Sequence, residues 1–266
     1  KRHPEEIAVY TAIYVCAAFS VLLLLGIIIY VFAKGARRVN WAFLTGVTSI
    51  PHGTVGIAGN ILNTLIIILL TMIITTPIGV GAAIYLNEYA KPGKLVTVII
   101  FATETLAGIP SIIFGLFGML FFGQLCHMGY SLLTGSLTLT LMVLPLVTRN
   151  TQEALKTVPD SFRTGAVGLG AGKWYTIRTI LLPSAMPGIV TGVILAIGRI
   201  IGESAALLFT AGSAHLLPKT FNAFLEKIFH SGGTLTIQLY LSASKGEFEV
   251  AFGIAVVLLV IVLLIN

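Results

Sequence analysis

The chain has 266 residues, 56% of them hydrophobic and only 10% charged, with a mean hydropathy of +0.99. Soluble domains carry roughly 25% charged residues, so this composition excludes a water-soluble fold and makes lipid the solvent for much of the surface. The net charge of +6 does not point to nucleic acid, because the basic residues fall between apolar runs and form no single patch.

In chain order, six runs are apolar enough to cross a bilayer, which takes about 20 helical residues: 9–33, 61–86, 96–122, 132–148, 186–209 and 250–265. Their all-round hydrophobicity favours helices over barrel strands. The first run is longer than a signal-peptide core of about 7–15 residues, so a retained span is expected. Pro77, Pro110 and Pro145 fall inside spans and should bend them. Between the spans, 46–59 is rich in Gly and Thr and reads as an exposed loop. The stretch 87–95 is a short turn around Pro92, and 123–131 is short and uncharged. The segment 149–185 is long, polar and basic, and 211–249 reads as short surface helices.

An inside N-terminus places Lys1, Arg2, Lys91, Lys94, Arg149, Lys156, Arg163, Lys173 and Arg178 on the inner side. Lys34, Arg37, Arg38, Lys219, Lys227 and Lys245 then lie outside, a modest positive-inside bias. Cys16 and Cys126 lie in apolar surroundings and suggest neither a disulfide nor a metal site. His3, His52, His127, His215 and His230 are scattered without ligand spacing. No phosphate-cradling Gly-rich loop with Lys, no Gly-x-Ser-x-Gly elbow and no metal-ligand cluster occurs, so no catalytic residue is expected and no cofactor is assigned to this chain.

Charges inside spans carry the functional signal. Arg199 and Glu203 stand at i and i+4 in the fifth run and could face each other on one helix. Each costs about 2.5–3.5 kcal/mol in hydrocarbon, so both should face the interior or a wet path. Gly188, Gly192 and Ala196 share that face, where helices approach closely. Two readings stand: Arg199 offers its planar donors to an anion in transit while Glu203 limits how tightly it is held, or the two form an ion pair that fixes packing. Glu104, in the third run, could pair with a basic residue or sit near the inner headgroups.

The segment 149–185 reads as two short helices broken between Gly168 and Gly172. Its stretch from Phe162 through Arg163, Thr164, Gly165, Ala166, Gly170 and Ala171 to Ile180, Leu181, Leu182 and Pro183 resembles the coupling loop of ABC importer permeases. That pattern is Glu-Ala-Ala, three residues, Gly, nine residues, then Ile-x-Leu-Pro. Thr164 and Gly165 stand where the pattern has Glu and the first Ala. The runs 77–89, 109–116 and 196–205 are similar to phosphate importer permeases, their A-type subunit in particular. The resemblance implies a single all-α permease domain over 1–266, with six spans and a cytoplasmic coupling loop in a bacterial inner membrane. It further implies ATPase contacts at Arg163, Thr164, Gly165, Ala166, Gly170, Ala171, Lys173, Trp174 and Pro183. The implied partners are a C-type sibling permease, two copies of a cytoplasmic ATPase that binds ATP and Mg, and an extracytoplasmic phosphate-binding protein. Within this class the alternative substrate is sulfate or molybdate. Rivals from other classes are an ion channel and an intramembrane enzyme that uses Glu104, Glu203 and Arg199 on a lipid phosphate.

Overall fold

In hydrocarbon every backbone N–H and C=O must be satisfied within its own segment, and a helix does this without an edge. The computed structural model, which describes residues 4–49, 54–91, 93–218 and 220–266, is built on that solution. Lys1, Arg2, His3, His52, Pro92 and Lys219 lie outside the described residues. Among the described residues five helices are long and apolar enough to span, or six if one bent pair counts as a span.

Helix α1 (Pro4–Gly35) runs into a tight turn (Ala36–Arg38) and a short α2 (Trp41–Thr45). The stretch 46–59 is not the exposed loop expected from its Gly and Thr content. Strands β1 (Val47–Ser49) and β2 (Thr54–Ile57) form an antiparallel ribbon pairing Val47 with Ile57 and Ser49 with Thr54. The Thr48 hydroxyl donates to the Gly56 carbonyl at 2.8 Å, and Ile57 is buried in a cluster with Phe43, Leu235 and Ile254. Helix α3 (Ala58–Ile84) begins directly after β2 and ends in a wide turn (Tyr85–Tyr89) closed by Ala90 N–H to Tyr85 O.

The run 96–122 is sharply broken at Pro110. Helix α4 (Lys94–Gly108) and α5 (Ser111–Gly118, widened over Met119–Leu125) meet at 102°. Pro110 drives the break, because it forces Ile109 into extended backbone (φ −73°, ψ 132°). Helix α6 (Leu132–Lys156) passes position 148, where the charge pattern put its end, by two turns. Nothing from Arg149 to Lys156 breaks a helix, and Asn150 and Ala154 pack under α9.

Helix α6 is the centre of the bundle and packs against α3, α4, α5, α9 and α10. Its buried hydroxyls return to its own backbone: Ser136 to Leu132 O (2.8 Å), Thr138 to Thr134 O (2.8 Å) and Thr140 to Ser136 O (2.9 Å). A polar sequence is thereby made dry enough to bury. Next come α7 (Asp160–Gly168), α8 (Lys173–Thr176, widened over Ile177–Leu181) and α9 (Leu182–Gly202). Helices α10 (Ala205–Thr210), α11 (Phe221–Glu226), α12 (Leu235–Ser244) and α13 (Phe248–Ile265) complete the chain, with α1 lying along α13.

The stretch 211–249 is not confined to the surface either. Leu235 and Ile237 of α12 are fully buried, and the backbone before α12 is clamped by the start of α3. Asn60 Nδ2 donates to Gly233 O (2.9 Å), and Asn63 Nδ2 to Ala214 O and Gly233 O (3.0 Å each). The Thr64 hydroxyl accepts from Leu235 N–H at 3.0 Å. Asn63→Leu removes two hydrogen bonds at once, although Gly233 O keeps Asn60 Nδ2 and Ala214 O keeps Gly233 N–H as donors. It should lower the stability of the solubilised protein by about 1–3 kcal/mol, read as a lower thermal midpoint, with Leu65→Ala at an exposed site as the unchanged control.

Candidate functional site

The long α6 creates the site. Between it, α4, α9 and the end of α3 lies a cleft of about 230 Å³, reached by Leu86, Ile100, Thr103, Glu104, Met142, Arg149, Gln152, Glu153, Lys156 and Arg199. Three cations and two carboxylates line it. Each carboxylate is held by one cation: Arg149 Nη2 donates to Glu104 Oε1 (3.0 Å), and Lys156 Nζ to Glu153 Oε1 (2.9 Å). Arg199 has no ion pair among the described residues, and its guanidinium is exposed on the cleft wall.

The expected Arg199–Glu203 pair on one helix face is not formed. Helix α9 ends at Gly202, Glu203 is extended (φ −81°, ψ 123°), and the chain re-enters a helix only at Ala205. The Glu203 carboxylate instead caps α10 by accepting from Ala206 N–H at 3.0 Å, and its carbonyl accepts from the Thr236 hydroxyl at 2.8 Å. Glu203 does not line the cleft with Glu104 and Arg199, so the three do not converge as an enzyme on lipid phosphate requires. The small-residue face does lie against α6. A Cβ at Gly188 or Gly192 would sit 2.6 Å from the Cβ of Ala154 or Asn150, whereas Gly198 and Gly202 face open space.

Sequence reasoning placed Arg149 in a loop and so missed it as a wall residue. The signal was there, since an arginine only one residue past an apolar run with no helix breaker can continue that helix.

The loop after α6 is held by one side chain. Arg163 reaches inward, with 23% of its side chain exposed. Its Nη2 and Nε donate to Glu88 Oε1 (2.9 and 3.2 Å), Nη2 also to Leu155 O (3.0 Å), and Nη1 to Val158 O and Asp160 Oδ1 (3.0 Å each). The hydrogen bond to Glu88 holds the Arg163 pKa above its ordinary value against the opposing effect of burial. Lys173 Nζ lies 4.7 Å from the centre of the Tyr89 ring, a second tie to the turn at the end of α3. Arg163 therefore fixes the loop and is not part of its outer face.

Of the other residues placed in the loop contact, Thr164, Gly165, Lys173 and Trp174 are exposed, and Ala166 is buried. Gly170 takes φ +80°, the left-handed conformation that ends the turn at little cost only for glycine. Ala171 N–H bonds back to Ala166 O (3.0 Å), and Pro183 opens α9. Phe162, Val167, Leu169 (91% exposed) and Tyr175, not singled out by the sequence pattern, join Trp174 as large apolar groups left open on this loop.

The chain is a helical bundle with a charged cleft on one flank and an apolar-tipped helical loop at one end, an arrangement that suits a membrane permease. Residues 75–266 match the family described as the binding-protein-dependent transport system inner membrane component, and the chain belongs to that family. It is thus a multi-pass membrane subunit of an ABC importer and not an enzyme, and such importers pair a permease with ATPase and substrate-binding partners. It is 36% identical over 261 residues to the probable ABC transporter permease protein YqgI of Bacillus subtilis, covering 94% of this chain and 89% of that one. To the phosphate transport system permease protein PstA of Xylella fastidiosa it is 39% identical over 181 residues, covering 67% of this chain but 62% of the relative. Its fold superposes on a chain of the bacterial alginate ABC transporter, solved with a periplasmic protein bound to alginate pentasaccharide. The TM-score is 0.70 at 16% identity, over 98% of this chain and 93% of that one.

Glu88→Ala removes the buried carboxylate of Arg163 and leaves it only the exposed Asp160. This should cost about 2–3 kcal/mol, allowing for the partial exposure of Arg163. The expected sign is faster limited proteolysis within 157–172, with Glu88→Gln intermediate between wild type and Glu88→Ala.

Proposed function

We propose that the chain is the permease subunit of an ATP-driven phosphate importer, with its N-terminus and the loop between α6 and α9 in the cytoplasm of a bacterial cell. The observation that carries this reading is the cleft, where Arg199, without an ion pair among the described residues, stands with two further cations and two carboxylates. An anion entering it meets a net positive wall and a planar fork of donors that suits a tetrahedral oxyanion. The likeness to PstA permeases supports phosphate as that oxyanion.

The working complex pairs this chain with a C-type sibling permease, two copies of a cytoplasmic ATPase that holds ATP and Mg, and an extracytoplasmic phosphate-binding protein. The apolar tips of the loop (Phe162, Val167, Leu169, Trp174 and Tyr175) offer the ATPase a contact whose burial excludes water. Arg163, through Glu88, passes the movement of that loop to the end of α3. The path then opens alternately to each side, with Arg199 as the level the anion must cross.

Arg199→Gln should reduce phosphate uptake by reconstituted, ATPase-loaded vesicles about 10- to 100-fold, as loss of a charge-assisted bond of about 1.5–3 kcal/mol implies. Arg199→Lys should keep part of the rate. Near-normal uptake by Arg199→Gln, normalised to assembled complex, would remove the cleft from the path. Glu203→Gln serves as the contrast: it should lower stability through the weakened α10 cap more than it slows transport.

A further inference from the structure

The cleft is more than a positive hollow, because its second guanidinium is already occupied. Arg149 on α6 donates to Glu104 on α4 at 3.0 Å, and neither partner is buried: 62% of the Arg149 side chain and 54% of the Glu104 side chain are exposed. A solute in the cleft can reach both. Thr103, beside Glu104, spends its hydroxyl on Ile99 O (2.8 Å). The other carboxylate of the wall, Glu153, is held by its own lysine. Helix α4 has no buried residue among those described and packs mainly along α6, so the Glu104–Arg149 bond is a tie across the mouth of the cleft.

A site made of guanidinium groups has a release problem. Arginine keeps its charge at any working pH, so the site cannot let an anion go by losing a proton. Two such groups with nothing to oppose them would hold an oxyanion too long for transport. A carboxylate fixed to the wall supplies the opposition at high effective concentration, as any tethered competitor does.

We propose that Glu104 is a built-in competitor anion. It occupies the Arg149 guanidinium while the cleft is empty. An incoming oxyanion displaces it and spans Arg149 and Arg199, and Glu104 retakes Arg149 as the anion leaves. Nothing covalent changes: one charge-assisted pair is exchanged for another, and the displaced carboxylate stays hydrated on the cleft wall. The proposal rests on the reading of the cleft as the phosphate path.

The test uses the assembled complex in vesicles, with its sibling permease, ATPase and binding protein. Retention of labelled phosphate is measured without ATP, and uptake at saturating phosphate with ATP, both per assembled complex. Glu104→Gln should retain phosphate about fivefold more tightly, since a pair this exposed contributes no more than about 1 kcal/mol, and it should import more slowly. Glu104→Asp should restore both values towards wild type. In an Arg149→Gln background the same Glu104→Gln change should add no tightening, because the guanidinium contested by the two anions is gone.

A purely structural tie gives the opposite result: Glu104→Gln lowers the yield of complex and leaves retention unchanged or weaker, which overturns the proposal. Tightening that persists in the Arg149→Gln background also overturns it. A wild-type complex that imports phosphate while Glu104→Gln retains it no better sinks this role of Glu104 and spares the path. A wild-type complex that neither retains nor imports phosphate sinks both.

Discussion

Close approach to α6 is the constraint on which the rest of the bundle depends. Lipid gives helices no hydrophobic reason to associate, so contact must come from dispersion between surfaces that meet without gaps. The glycines facing α6 allow this. A Cβ at Gly79 of α3 would lie 2.9 Å from Val147 Cγ1, and those at Gly188 and Gly192 of α9 would meet Ala154 and Asn150. Gly135, on α6 itself, lets Leu207 and Ala211 come within 3.0 Å of where its side chain would be. The apolar stretch of α6 is 67% buried, against 28% for the corresponding stretch of α3. Large side chains at these positions would part the helices and forfeit the contact.

The flank of α6 that is not closely packed becomes the site. Helices α3 and α9 press on it along their length, but α4 leaves at 102° from α5 and meets α6 only along one flank. The gap on that flank is lined by Arg149, Arg199 and Glu104. Charges inside a membrane protein are tolerated where they line a cavity or pair with one another, as Arg149 and Glu104 do. The same α6 continues past the apolar region to Lys156, so one helix carries both a wall of the cleft and the Leu155 carbonyl, which Arg163 grips together with that of Val158 just beyond the helix.

Hydropathy made the spans legible, because the requirement for about 20 apolar residues is set by the bilayer and not by neighbours. It stopped short at α6, where the apolar run ends before Arg149 although the helix does not, and so Arg149 was lost from the site. The position of the break at Pro110 was readable, but its angle depends on the packing of α5. The end of α9 was hidden by a periodicity that continues through Glu203. The cue was chemical: Gly202, Glu203 and Ser204 combine weak helix formers with a side chain able to cap the next helix. Asn60 and Asn63, two amides at the head of an apolar run, were the only local sign that the chain near Gly233 would be drawn inside. Arg163 was recognised as belonging to the loop, but its inward direction depended on Glu88, 75 residues away in sequence.

Helix α3 is bonded at both of its ends. One end carries Glu88 and the turn gripped by Arg163, and the other carries Asn60 and Asn63, which hold the backbone at Ala214 and Gly233. At about 1.5 Å per residue its 27 residues make a rod of roughly 40 Å, nearly the full depth of a bilayer. A rod pinned at both tips conserves displacement: a tilt imposed on one tip reappears at the other with reversed sense about any fulcrum between them. The loop that Arg163 anchors and the backbone before α12 are thus tied to the two ends of one helix.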